Sequence, residues 1–531
     1  MVNERVHISD RYFRPRAGTG GSLPLGSTGP SGSKTRQRHG SRIQRFLQRL
    51  RMWFMLSTRG RRTLAAVVFF FSVLLCIFIL EPHKVYPSNR FALREFNIRR
   101  WGAAKGAEVS SEAVNGPATR KFRGECCIGF VLLKPSRLNG RNHADNLRND
   151  TSYITSWSNA GFTNQFMGYV NMIYLGLLTD RVPILPPFAP DHHISSSAGI
   201  IPFGDLFDLD HLRKQLRTPI LEWRDVKALP SRYSADPYST REVEPLGCWT
   251  TRKESEGNPI RAENVVHHLG LDVSYTRVPS HTRLDPSNPE ETHVVFPHLA
   301  ALIYPIDPIA DPESFRTLAP SPGGHWDTPE SQLSCFDTMY YATSGAKAFE
   351  WQYSWSPVWR TVGRHVRFTR EIEDLGYQYL SNVFGLDEAE EVPPFIIVHI
   401  RRGDFAMFCS HSGQVDCFPP LSTYKKRVDD VKMELMERDI PVTNVVVVSD
   451  EKSPRFWANV KNQEWFYINH TAERTLERFG EWYPPLVDIV VQSYAFGFVG
   501  TEDSTFSLVG QRRVEDWNGG VTMNVKVQVG Y

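Results

Sequence analysis

The chain has 531 residues, a length that suggests two or three compact units. Hydrophobic residues make up 41% of it, enough to build cores. Its formal net charge is +3, but residues 1–62 hold 14 Lys or Arg against 2 acidic residues, so this segment carries +12 and the rest carries −9. A nucleic-acid-binding protein normally carries its positive charge on the folded domain, so this distribution argues against DNA or RNA as a partner.

An uncharged hydrophobic segment, residues 63–80 (TLAAVVFFFSVLLCIFIL), follows the basic N-terminal region. As a helix it spans roughly 27 Å, about the hydrocarbon core of a bilayer. A buried core helix or a cleaved signal peptide fits less well, because the segment lacks any charge and begins only after residue 62. Since Arg59, Arg61 and Arg62 precede it, the positive-inside rule predicts a single-pass type II membrane protein with residues 1–62 as a disordered cytosolic tail.

The cysteines fit an oxidising lumen on the far side of that predicted membrane helix. Six of the seven cysteines lie outside the hydrophobic segment: Cys126, Cys127, Cys248, Cys335, Cys409 and Cys417. Their pairing stays open, although the short loop between Cys409 and Cys417 makes that pair the favoured disulfide. Glycosylation sequons at Asn149 and Asn469 agree with a lumen. We therefore expect a Golgi or endoplasmic reticulum membrane protein with a luminal stem over residues 81–150.

An α/β pattern begins at Tyr153. Residues 153–157 predict a strand, and a loop ending at Gly161 follows. The apolar spacing of residues 162–180 predicts a helix, and Val182–Leu185 predicts the next strand. Residues 190–370 are rich in Pro, Trp and His, and their elements stay unassigned.

The last third of the chain alternates strands with helices. The predicted strands are Phe395–Ile400, Asn444–Ser449, Trp465–Ile468 and Phe498–Gly500. The predicted helices cover residues 421–438, a short stretch opened by Ser453, residues 485–496, and a final stretch opened by Thr505. This alternation predicts an α/β fold with a parallel sheet and helices on both faces.

Polar residues follow three of these strands. His399 lies inside the end of one strand and Arg401 comes directly after that strand, Asp450 follows the second, and Ser504 with Thr505 follow the last. The carboxyl ends of parallel strands meet at one edge of a sheet, so these side chains are expected to converge on one crevice.

The chemistry of these residues suits a nucleotide diphosphate. The Arg401 guanidinium offers a fork of donors to phosphate oxygens. Ser504 and Thr505 open a helix, where the backbone and the helix dipole favour an anion. Asp450 can accept hydrogen bonds from a guanine edge or a ribose hydroxyl, and the Gly161 loop offers a second close backbone approach.

Each of these features also has a purely structural interpretation. Asp404 could form an ion pair with Arg401 or Arg402, and Ser504 could be an ordinary helix N-cap. Asp450 could cap the helix that follows it. Their joint position at one sheet edge favours the functional interpretation.

Four motifs resemble those of the GDP-fucose protein O-fucosyltransferase family within the fucosyltransferase superfamily. They are Gly161–Gln165, His399–Asp404, Ser449-Asp450 and the segment from Gly500 to Ser507. The resemblance covers about residues 153–515. It implies a GT-B-like fold of two Rossmann-like lobes: an N-terminal, acceptor-side lobe over 151–390 and a C-terminal lobe over 391–531 that binds the GDP-sugar.

The resemblance also implies roles for individual residues. Arg401 would be catalytic by holding the β-phosphate and the leaving-group charge, and Asn164 would be catalytic near the reacting centre. The residues implied to bind GDP-fucose are Gly161, Phe162, His399, Asp450, Ser504, Thr505 and Phe506. The family implies no metal and no other cofactor.

One position departs from the resemblance. Some members place a glutamate base just before the glycine loop, where this chain has Asn159 and Ala160, so the base stays unnamed. The expected function is inverting transfer of fucose from GDP-fucose to a protein Ser or Thr hydroxyl in the secretory pathway. The alternatives are a glycan acceptor, a non-catalytic sugar-binding membrane protein on the same scaffold, or another nucleotide-sugar enzyme.

Overall fold

The computed structural model describes residues 138, 140–158, 160–191, 193–229, 243–253, 259, 262–304, 317–387, 390–406 and 418–526. The predicted tail, the predicted membrane helix, most of the predicted stem, Asn159 and the Cys409–Cys417 pair lie outside these residues. Within the described ranges, no helix has both the length and the apolar character needed to cross a bilayer.

Fourteen strands and thirteen α-helices occur in the part of the chain that the structure describes. The strands are β1 (Tyr153–Ser156), β2 (Val182–Leu185), β3 (Leu221–Glu222), β4 (Glu244–Thr250), β5 (Leu271–Arg277), β6 (Val294–Val295), β7 (Thr317–Ala319), β8 (Leu333–Phe336), β9 (Ala342–Thr343), β10 (Phe395–Ile400), β11 (Asn444–Ser449), β12 (Phe466–Tyr467), β13 (Gly497–Thr501) and β14 (Val521–Val525). The helices are α1 (Phe162–Leu178), α2 (Phe203–Leu206), α3 (Leu209–Leu216), α4 (Trp223–Val226), α5 (Glu263–His268), α6 (Phe296–Ile303), α7 (Pro357–Thr361), α8 (Arg370–Phe384), α9 (Leu421–Glu437), α10 (Pro454–Lys461), α11 (Thr475–Phe479), α12 (Tyr483–Ser493) and α13 (Thr505–Asn518).

Two sheets organise these elements. The first has the order β3-β2-β1-β8-β4-β5-β7 and is parallel except for β7, which pairs antiparallel with β5. The second has the order β12-β11-β10-β13-β14 and is parallel throughout. A two-stranded pair joins β6 and β9. The predicted α/β class with parallel sheets is therefore confirmed.

The second sheet is buried on both faces, which explains its unbroken apolar strands. In β10, Ile396 and Val398 face the α9 residues Val428 and Val431 on one side. The intervening side chains pack on the other side against helices α8 and α12. Successive residues of a strand point to opposite faces, so both sets of side chains in the central strand are buried, and Phe395–Val398 are all apolar.

Several predicted bounds match the structure, and others are corrected. Strands β2, β10 and β11 have the predicted ends. The predicted strand Trp465–Ile468 shortens to Phe466–Tyr467, because this edge strand pairs with β11 at two positions only. The helix predicted from residue 485 begins two residues earlier, at Tyr483, since prolines are well accommodated in a first helical turn.

A disulfide joins two neighbouring strands of the first sheet. Cys248 in β4 and Cys335 in β8 are bonded, with their Cα atoms 4.5 Å apart. Both residues are fully buried. The sequence left the pairing of these cysteines open, and the structure assigns this pair.

The order of the second sheet determines where a crevice opens. Counting outward, the strands run β10, β11, β12 in one direction and β13, β14 in the other, so the order reverses between β10 and β13. In open parallel sheets, ligands bind beyond the carboxyl ends of the strands at this reversal. The predicted site residues that follow β10 and β13 therefore border the reversal point.

Candidate active site

The glycine loop after β1 is fixed by one glutamine. The Gln165 Nε2 donates to the carbonyls of Ala160 (2.9 Å) and Ala189 (2.8 Å), and its Oε1 accepts from the Ala189 N–H (3.0 Å). The Ala160 N–H donates to Asp191 (2.6 Å). These bonds tie the loop to the segment that follows β2, and they support the left-handed φ of 67° at Ala160.

Gly161 leaves open space beside that loop. Its φ is −59°, which any residue adopts, and a Cβ there would meet only the ring of His193, at 4.0 Å. Neither backbone strain nor packing by the described residues therefore requires a glycine. The side chain of Phe162 instead packs among aromatic rings, with its centroid 4.5 Å from Phe188 and 6.4 Å from Trp482. Its predicted contact with the sugar nucleotide stays a prediction.

Asn164 and Thr505 connect the two sheets. The Thr505 hydroxyl, at the start of α13, donates to the Asn164 Oδ1 on α1 at 2.7 Å. A second contact joins the hydroxyls of Thr163 and Thr505 at 2.9 Å. The predicted residue from the first motif and one from the last motif therefore meet directly, although they lie 341 positions apart.

Arg401 lies at the end of β10 and has three side-chain partners. Its Nη1 pairs with Asp450 (3.0 Å), and its Nη2 pairs with Asp404 (2.8 Å). The same Nη2 donates to the His193 Nε2 at 2.8 Å. The backbone N–H of Arg401 donates to the Thr501 hydroxyl (2.9 Å), which positions the residue against β13. The guanidinium is therefore held by ligands on both sheets.

Asp450 is a support for the arginine segment. Its Oδ1 accepts from the backbone N–H of Arg402 at 2.7 Å, and its Oδ2 pairs with Arg401. Gly403 is needed beside it, because a Cβ at that position would overlap Asp450 Oδ2. Both oxygens are thus engaged within the protein, and the predicted contact with guanine or ribose stays a prediction.

The charge balance around Arg401 is set by Asp404. Partial burial acts to raise the pKa of this carboxyl, but its contacts with His193 and Arg401 and the charge of Arg401 outweigh it. The pKa is lowered to about 2. Asp404 is therefore ionised at neutral pH and neutralises part of the arginine charge.

His399 is buried in β10, two residues before Arg401. Its Nδ1 lies 2.6 Å from the Ser507 hydroxyl, and its ring centroid lies 4.7 Å from that of Phe506. Burial, and then the charge of Arg401, lower the pKa of His399 to about 3. The ring is therefore neutral at neutral pH. Thr501 supports the same corner by donating from its hydroxyl to the His399 carbonyl at 3.0 Å.

We expect this neutral histidine to make stability depend on pH. The unfolded state binds a proton near pH 6.5 and the native state only near 3. The stability is therefore complete above pH 6.5 and falls as the pH decreases through this window. Lowering the pH from about 7.5 to about 5.5 should reduce the free energy of unfolding by about 1.4 kcal/mol through His399. Urea unfolding of the wild type and of His399→Gln measures it.

Comparing the wild type with His399→Gln separates the pH-dependent contribution of His399 to stability from that of the other titrating groups. The wild type should lose about 1.4 kcal/mol more than His399→Gln over that pH interval. Parallel pH profiles for both proteins would contradict a neutral buried His399.

Ser504 has the structural role that was the alternative to ligand binding. Its side chain caps α13 by accepting from the Ser507 N–H at 3.5 Å. The Ser507 hydroxyl also accepts from the Thr501 N–H at 2.9 Å. This turn places Phe506 and Ser507, in the first turn of a 14-residue helix, against His399. A helix start in that position favours a bound anion.

The structure brings most of the predicted residues together. Arg401, Asp450, His399, Phe506 and Thr505 are joined by direct contacts or share one turn, and Asn164 joins them through Thr505. Sequence reasoning missed His193, and it included Gln165 and Thr501 in the motifs without assigning a role to either. The position of His193 beyond the end of β2 was the available signal, because the strand-end rule applies to that strand as well.

An arginine that follows the central strand of a parallel sheet at its reversal point is well placed to bind the phosphates of a nucleotide. The family model described as GDP-fucose protein O-fucosyltransferase matches residues 153–515. The chain therefore belongs to this family and is a glycosyltransferase, specifically a fucosyltransferase.

Solved structures with a similar chain trace come from fucosyltransferases. The apo form of POFUT1 is 15% identical and aligns over 71% of this chain and 99% of its own, with a TM-score of 0.43. POFUT1 in complex with GDP-fucose is 16% identical and aligns over 72% of this chain and 99% of its own, also with a TM-score of 0.43. Fucosyltransferase NodZ from Bradyrhizobium is 11% identical over 68% and 93%, with a TM-score of 0.34. A comparison with curated protein sequences finds no match.

Proposed function

We propose that this protein transfers fucose from GDP-fucose, with inversion at the anomeric carbon, to a Ser or Thr hydroxyl of a protein. The family description supports both the donor and a protein acceptor. The single observation that carries the proposal is the position of Arg401. Arg401 follows β10 at the sheet reversal, its backbone N–H bonds to Thr501 of β13, and its guanidinium contacts His193 beyond β2 of the first sheet.

The diphosphate of GDP would exchange for protein ligands of Arg401. A guanidinium presents planar N–H donors that match phosphate oxygens, and it keeps its charge at any physiological pH. The start of α13 at Ser504 and Thr505 would receive the second phosphate. His399, Phe506 and Asp450 would line the guanosine side, and the open face of Gly161 would leave room for the sugar.

The same groups support the chemical step. As the bond between fucose and the β-phosphate breaks, negative charge develops on the departing diphosphate. A preorganised cation directed at that charge stabilises the transition state more than the ground state. Asn164, held by the Thr505 hydroxyl at 2.7 Å, would orient the sugar from the first sheet. Because Arg401 and the helix start supply the positive charge, we also propose that transfer needs no metal ion or other cofactor.

We further propose the GT-B arrangement, with the donor between an acceptor-side lobe over residues 151–390 and a GDP-sugar-binding lobe over 391–531. The strands of the two sheets lie within these ranges, which supports the division. We propose a single-pass type II anchor at residues 63–80 and a luminal catalytic domain in the Golgi or endoplasmic reticulum. The disulfide between Cys248 and Cys335 supports an oxidising compartment.

Thermal unfolding with nucleotides tests the donor. A ligand that binds only the native state stabilises it by about 2.7 kcal/mol at a hundredfold excess over its Kd. GDP and GDP-fucose should raise the Tm of the full-length protein, and UDP at the same concentration should raise it much less. Equal protection by UDP would contradict a guanosine-specific site.

Transfer of labelled fucose tests the reaction in the same preparation. Label should appear on a pool of Ser- and Thr-containing peptides, and treatment with a chelator should leave the rate unchanged. Label on an oligosaccharide pool alone would indicate a glycan acceptor. Nucleotide protection without any turnover would indicate a non-catalytic sugar-binding protein, and a loss of rate restored by manganese would contradict metal-free transfer.

A further inference from the structure

His193 reaches from the segment after β2 to the arginine of the other sheet. Its Nε2 lies 2.8 Å from Arg401 Nη2 and 3.5 Å from Asp404 Oδ2. Its side chain is 47% exposed, and its ring borders the open face of Gly161. The imidazole therefore faces the space in which the sugar would lie, at the carboxyl edge of the first sheet.

The contact with Arg401 fixes the protonation of this nitrogen. A guanidinium has only donors, so the Nε2 must accept through its lone pair. In this arrangement Nε2 carries no proton and its lone pair lies in the candidate site. A neutral imidazole with an unprotonated nitrogen in the site has the form required of a general base.

In the proposed reaction the acceptor hydroxyl must lose a proton, and none of the roles assigned above provides a base that takes it. Among the described residues, the carboxylates in contact with Arg401 are Asp404 and Asp450, and both are paired with its guanidinium. The pKa of Asp404 is about 2, which makes this carboxylate a weak base. Ala160, directly before the glycine, has only a methyl side chain.

We propose that His193 is the base that takes the proton of the acceptor hydroxyl, an inference that rests on the proposed function. When Arg401 turns to the diphosphate, its hydrogen bond to Nε2 is released. The acceptor oxygen forms a bond to the anomeric carbon of fucose while the bond from that carbon to the β-phosphate oxygen breaks. The bonding electrons go to the phosphate, and the hydroxyl proton goes to His193 Nε2. The carboxylate of Asp404 faces the imidazolium that forms.

The experiment uses hydrolysis of GDP-fucose, in which water replaces the acceptor and must also lose a proton. His193→Ala in the full-length protein is compared with His325→Ala. His325 is a matched control, because it is 48% exposed and its Nε2 lies 3.8 Å from a carboxylate oxygen, that of Asp272. The readouts are the rate of GDP release, the Tm shift produced by GDP, and rescue of the rate by added imidazole.

His193→Ala should lower the rate of GDP release by about 10²- to 10⁴-fold, the usual contribution of a positioned base. The Tm shift with GDP should stay close to that of the wild type, and imidazole should restore part of the rate in His193→Ala but not in Arg401→Ala. His325→Ala should behave as the wild type in all three measurements.

A rate within threefold of the wild type would overturn the proposal, and so would a lost rate accompanied by a lost response to GDP. The second result would assign His193 to donor binding. Failure of the proposed function has a different signature: the wild type itself would neither respond to GDP nor release it from GDP-fucose.

Discussion

Arg401→Ala should lower the rate of fucose transfer by at least about 10²- to 10³-fold, the effect of losing one donor that stabilises developing negative charge. The guanidinium would contact the leaving diphosphate, and among the described residues no other cation lies at the end of β10 with partners on both sheets. Arg401→Lys should restore little, because an ammonium lacks the planar fork. Steady-state kinetics with GDP-fucose measures both variants.

The fold should survive this change, so that the loss can be assigned to chemistry. The carboxylates left behind, Asp404 and Asp450, are 41% and 29% exposed and can be solvated. Arg427→Ala is the matched control, because Arg427 pairs with Asp430 on α9 at 3.2 Å and is 47% exposed. Unchanged turnover in Arg401→Ala, or equal losses in both variants, would refute the assigned role.

Removing the disulfide between Cys248 and Cys335 should lower the free energy of unfolding by about 4.6 kcal/mol. The two residues are 87 positions apart. A cross-link over a loop of this length lowers the conformational entropy of the unfolded chain and so destabilises the unfolded state by about that free energy. The double variant Cys248→Ala/Cys335→Ala is preferred to serine, since buried hydroxyls would add a desolvation cost. Urea unfolding of both proteins measures the difference.

A single cysteine variant separates the effect of losing the disulfide from the effect of altered packing between the strands. The single variant Cys248→Ala leaves Cys335 in place, and it should lose nearly as much stability as the double variant, because the bond is lost in both. A double variant within 1 kcal/mol of the wild type would contradict a structural disulfide between these strands. A reducing agent is a less specific test, because it acts on every cysteine of the chain.

The second sheet could be predicted because its sequence and its environment agree. Strands such as Asn444–Ser449 are short apolar runs between polar segments, and burial on both faces requires that pattern. The first sheet was only partly predictable. Strand β4 contains Pro245 and Gly247, which are poor strand formers, and its position beside β8 depends on contacts made far along the chain.

The candidate site shows the same limit. Arg401, Asp450 and Thr505 could be predicted because each follows a recognisable strand, and the edge of a parallel sheet brings such residues together. His193 also lies beyond a predicted strand, β2, but its segment gave no readable pattern and its contact with Arg401 spans 208 positions. Gln165 was quoted within a motif, but its role as a loop clamp appears only with the carbonyls of Ala160 and Ala189.

The glutamine clamp has a consequence for how substrates associate. With three hydrogen bonds already formed by Gln165, the wall of the cleft next to Gly161 has its conformation before any ligand arrives. A binding surface that is rigid in advance loses little conformational entropy on complex formation. Selectivity at the Gly161 loop would then come from its fixed shape. At Arg401, by contrast, a substrate would be accommodated by exchange of the contacts that the guanidinium makes.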